Sequence, residues 1–91
     1  MCLDIVEATR VISKTNDPEL FRMAKIVIYR YDLECMKETI RNLGSDIHIL
    51  TVDSVVHHAL YLHDECLYFD KKRYYEDLVD FVVELRELEV D

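Results

Sequence analysis

The sequence predicts a mainly α-helical single domain of four or five helices, and three observations carry that expectation. Its 91 residues hold one glycine and one proline, too few for a β-rich fold built on tight turns. Both stand where helices are punctuated: Pro18 follows the capping residue Asp17, and Gly44 closes an apolar pattern where a positive φ is wanted. Apolar residues then recur at spacings of three and four over long stretches.

Taken in order, "DIVEATRVIS" forms the first helix. Asp4 followed by Glu7 matches a capping box, and Ile5, Ala8 and Ile12 share a face. From Pro18 to Leu43, apolar positions 26, 29, 33, 36, 40 and 43 trace the seam of one long helix. Within it, "KIVIYRY" has the β-branched and aromatic content of a strand, and Asp32 could cap a fresh helix, so a kink or break near 31–32 is the alternative. "DIHILTV" reads as a strand, an extended linker or a first helical turn. Thr51 or Asp53 then caps a helix whose Val52, Val56, Ala59, Leu60 and His63 fall together. After Asp70, Tyr74, Leu78, Phe81, Leu85 and Leu88 make the clearest stripe, widened by Tyr75 and Val82 and bordered by acids. One β-hairpin near 66–75 competes with the start of that last helix.

Charge divides the chain. The net charge is −8, yet residues 1–43 balance seven acids against seven bases, and residues 44–91 carry the whole excess. No Lys or Arg lies between Arg41 and Lys71. A phosphate-binding surface needs clustered cations, so the second half repels nucleic acid except around Lys71, Lys72 and Arg73. All four histidines lie in this acidic half. Three cysteines, Cys2, Cys35 and Cys66, are an odd number without paired spacing. That fits a reducing, intracellular compartment (cytoplasmic or nuclear), with Cys35 and Cys66 as small core hydrophobes. The opening residues lack the basic start of a signal peptide, and no apolar run approaches the ~20 residues that span a bilayer.

"VVHHALYLHDEC" gathers three histidines and a cysteine in one short stretch. As a zinc site it fails on spacing: only His63 and Cys66 stand three apart, and no C-x2-C or H-x3-H pair is present. A single glycine leaves no phosphate-cradling loop. No metal, cofactor or catalytic residue is therefore expected.

Two readings of function remain. The first is a non-catalytic protein-interaction or regulatory module, a homodimer or complex subunit, whose acidic half faces a protein partner of basic character. Glu76, Asp80, Glu84 and Glu87 are its presenting charges. Two apolar stripes, at 26–43 and 74–88, supply the surface for self-association. The second is a winged helix-turn-helix DNA-binding regulator. Ser54, His57 and His58 would face the groove, with "CLYF" and "RYYE" as wing strands around Lys71, Lys72 and Arg73. The layout over residues 33–90 looks like that group, but cations near the reading helix are missing.

Overall fold

The computed structural model describes residues 3–67 and 69–88. Among them are four α-helices: α1 (Ile5–Lys14), α2 (Pro18–Arg41), α3 (Val52–Leu62) and α4 (Lys71–Leu88). Short 3-10 turns occupy Gly44–His48 and Asp64–Cys66, and no strand occurs among the described residues.

Side chains placed by the sequence start each helix. Asp4 accepts from the Glu7 amide at 2.8 Å, Asp17 from Glu19 at 3.0 Å, Thr51 from Ser54 at 3.1 Å and Asp70 from Lys72 at 3.0 Å. Each satisfies an amide that the first turn leaves without a helical partner. Gly44 adopts φ +59° just past α2, the left-handed conformation that ends a helix at little cost only in glycine.

The hairpin near 66–75 is overturned. Asp64–Cys66 is a 3-10 turn, and "KKRYYE" forms the first turns of α4. Tyr74 and Tyr75 favour strands in isolation, but Tyr74 opens a buried ladder continued by Leu78 and Val82, and tertiary burial overrides propensity. The wing thereby loses its second strand; Tyr68, in the proposed first strand, lies outside the described residues.

Helix α2 runs unbroken through 31–32, so Asp32 is no cap but a buried side chain. The buried residues of α2 are Ala24, Ile28, Asp32, Met36 and Ile40, a uniform four-residue ladder. Each such step turns the stripe by about 40°, so the buried face rotates by about 160° along the helix. The rotation has a structural cause. The first half of α2 packs on α1 through Ala8, Ala24 and Ile28, and the second half packs on α3 and α4 through Met36, Ile40, Val56, Leu60, Leu78 and Val82. Phe69 touches both clusters.

The expected seam is therefore buried only in its second half. Met36 and Ile40 are enclosed, while Tyr29 and Leu33 are half-buried and Ile26 is 46% exposed. The two stripes credited with self-association meet within one chain where Tyr29 stacks on Tyr74 at 4.8 Å, and Met36, Ile40, Leu78 and Val82 from them share one core cluster. Residues 46–52 are neither strand nor linker: Ile47 is buried within the 3-10 turn, and Thr51 caps α3. Cys35 is half-buried; Cys2 and the side chain of Cys66 lie outside the described residues. Among the described residues no helix is long and apolar enough to cross a membrane.

Candidate interaction surface

The outer face of α4 collects the acids anticipated from the sequence. Glu76, Asp80, Glu84 and Glu87 are all exposed, and none forms an ion pair among the described residues. At about 100° per residue, positions 76, 80, 83, 84 and 87 fall within one sector of the helix. Val83, 41% exposed, sits at the edge of these carboxylates. The result is a strip of negative charge bordered by an apolar side chain, on the side of α4 away from the buried ladder.

The helix carries these charges against its own dipole. Lys71, Lys72 and Arg73 occupy the first turn, where partial positive charge already resides, and the first turn holds no acid. Glu84 and Glu87 stand near the negative end. Each misplaced charge costs a few tenths of a kcal/mol. An ion pair between Lys71 and Asp64 offsets one of them. Arg86, the one base in the last turn, points inward: its Nε donates to the Ile47 carbonyl at 2.9 Å and its other arm donates to the Leu50 carbonyl. Glu89 and Asp91 lie outside the described residues.

Of the residues named for DNA recognition, His57, Lys71 and Lys72 border one depression, and Arg73 lies apart from them. Ser54, His57 and His58 are exposed on α3, but His57 Nε2 lies 3.3 Å from the Asp53 carboxylate. Lys71 and Lys72 border a shallow depression between α3 and α4 with His57, Tyr61 and Tyr75. Arg73, one residue on, faces a different groove against α2. His63, the third histidine of the suggestive stretch, ties α3 to α2, its Nε2 lying 2.7 Å from Thr39 Oγ1. Among the described residues no group of three or more His, Cys, Asp or Glu side chains could hold a metal ion.

Three tyrosine–aspartate pairs, absent from the sequence reading, join α4 to its neighbours. Tyr29 donates to Asp77, Tyr74 to Asp32 at 3.1 Å, and Tyr75 to Asp53. Burial, then the bond to Asp77, raises the Tyr29 phenol well above its ordinary value of 10.0. Burial, then the charge of Asp32, does the same for Tyr74. For Tyr75 the bond to Asp53 is the main cause of the rise. An unfolded chain loses these protons near pH ~10. Between that pH and the raised folded values the native state binds more protons, so stability falls as pH rises through this window and is intact below it. Alkaline titration should therefore show part of the tyrosinate absorbance appearing together with loss of helical circular dichroism. Ionisation of all six tyrosines near pH ~10 with helicity intact would contradict the pairing.

Comparison with protein-family models, curated proteins and solved structures returns no match.

Proposed function

We propose that this protein is a non-catalytic interaction module that presents the outer face of α4 to a basic protein partner. The observation that carries the reading is the set Glu76, Asp80, Glu84 and Glu87, exposed beside Val83 and without ion pairs among the described residues. A strip of charge steers association and selects the partner's sign, and the apolar contact beside it supplies holding energy. Placement against the dipole adds support. Charges that weaken their own helix by tenths of a kcal/mol gain from a partner that neutralises them.

DNA binding is the weaker reading, because Arg73 is set apart from Lys71 and Lys72 and the Lys71 charge is engaged by Asp64.

The test is capture from nuclease-treated host lysate with immobilised wild type and with the Glu84→Lys, Glu87→Lys double variant. Wild type should retain a stoichiometric protein whose binding weakens with salt. The double variant should lose about tenfold or more in affinity, since each rim contact contributes on the order of 1 kcal/mol. Equal capture by both forms, or capture that vanishes with nuclease, would overturn the reading.

A further inference from the structure

We propose that the groove between α2 and the start of α4 is a second binding surface, which takes a short acidic segment bearing bulky apolar side chains from a partner protein. Because burial passes from one side of α2 to the other, the first half of the seam is covered only in part, where Tyr29 meets the start of α4. Ile26 and Leu33 line this groove, and Ile26 is 46% exposed.

The groove's aromatic wall is fixed in place. Phe69 meets Tyr29 edge-on with centroids 6.0 Å apart. Tyr29 in turn donates to Asp77 and lies 3.3 Å from the Arg73 carbonyl. A rigid apolar floor of this kind accepts a side chain with little loss of its own conformational entropy.

Charge then selects the occupant. Arg22, Lys25, Arg30 and Arg73 border the groove, four of the eleven bases in a chain of net charge −8. Lys25 Nζ stands over the Phe69 ring at 5.3 Å, and the only ion pair these four make among the described residues is the exposed, 3.7 Å contact of Arg22 with Glu19. Glu76 and Asp77 also line the groove, Asp77 accepting from Tyr29, so the bases outnumber the acids four to two, and this mainly cationic rim around an apolar floor matches carboxylates flanking Leu or Phe.

Two other occupants fit less well. A nucleic acid strand would extend past the groove onto the acidic remainder of the protein, beyond the ~8 Å over which four cations act at physiological salt. A second copy would bring the whole acidic face of α4, Glu76, Asp80, Glu84 and Glu87 on one helix, against Glu76 and Asp77 of this groove, whereas a short segment can set its carboxylates on the four bases and away from that edge.

The assay is fluorescence anisotropy of a labelled peptide with Leu and Phe at helical spacing and Asp and Glu between them. Binding should saturate, weaken with salt, and fall about tenfold or more in Arg30→Glu, Arg73→Glu. Ile26→Ser should weaken it with the charges intact, and helical circular dichroism checks that each variant is folded. Glu84→Lys, Glu87→Lys should bind this peptide at least as well as wild type, which separates this surface from the outer face of α4. The proposal is overturned by equal binding of a peptide with Lys replacing its acids, or by preferential binding of a single-stranded oligonucleotide. It is also overturned by concentration-dependent dimerisation that Arg30→Glu, Arg73→Glu abolishes.

Discussion

Tyr74→Ala is expected to lower the unfolding free energy by about 3–5 kcal/mol, the range for deleting a buried aromatic side chain. Tyr74 is fully buried, ranks first by volume among such side chains, stacks on Tyr29 at 4.8 Å and donates to the buried Asp32. A domain this size has roughly 5–14 kcal/mol in total, so the loss is a large share of the whole. Tyr74→Phe separates ring from hydroxyl. It keeps the stacking surface but removes one donor from a buried carboxylate, and should cost about 1–3 kcal/mol. Urea unfolding followed by circular dichroism measures both. A Tyr74→Ala loss below about 1 kcal/mol would mean that this ring does not organise the core.

Arg86→Met should cost about 2–3 kcal/mol, far more than an ordinary surface substitution at about 0.5 kcal/mol. The guanidinium spans two carbonyls, those of Ile47 and Leu50, and so fastens the segment before α3 to the end of α4. Ile47 itself is buried, and its carbonyl would lose a charged donor. Because the acceptors are neutral, added salt should change the loss little. Arg86→Lys keeps the charge, but a single ammonium does not reproduce the planar fork, so it should recover only part of the stability. Wild-type urea midpoints for Arg86→Lys would show that charge alone, rather than the two-armed contact, is what matters.

Local signals in the sequence located most of the architecture. Asp4, Asp17, Thr51 and Gly44 mark helix ends that the structure reproduces, because capping depends on neighbours two or three residues away. The stripe of α4 was equally legible at Tyr74, Leu78 and Val82, which are all fully buried. Its acidic side was legible too, with Glu76, Asp80, Glu84 and Glu87 all exposed.

What escaped depends on contacts distant in sequence. Arg86 reads as one more surface base, since its carbonyl partners lie 39 and 36 residues earlier. Asp32 looked like a cap because an acid after an aromatic run often is one. The clue was the four-residue ladder through Ile28 and Met36, which places it in the core. The cationic groove was hidden for a related reason. Arg22, Lys25 and Arg30 sit in a half of the chain whose net charge is zero, and only folding brings Arg73 beside them.

The most direct test of the central claim is methyl NMR of the valines in the protein titrated with its captured partner. Val83 and Val82 are adjacent in sequence but 41% and 0% exposed, so one reports on the surface of α4 and the other on the core. The account predicts a large shift of the Val83 methyls, with Val82 little changed. Unmoved Val83 methyls, with the largest changes on α3 beside Ser54, His57 and His58, would contradict it and return attention to the helix that carries the histidines.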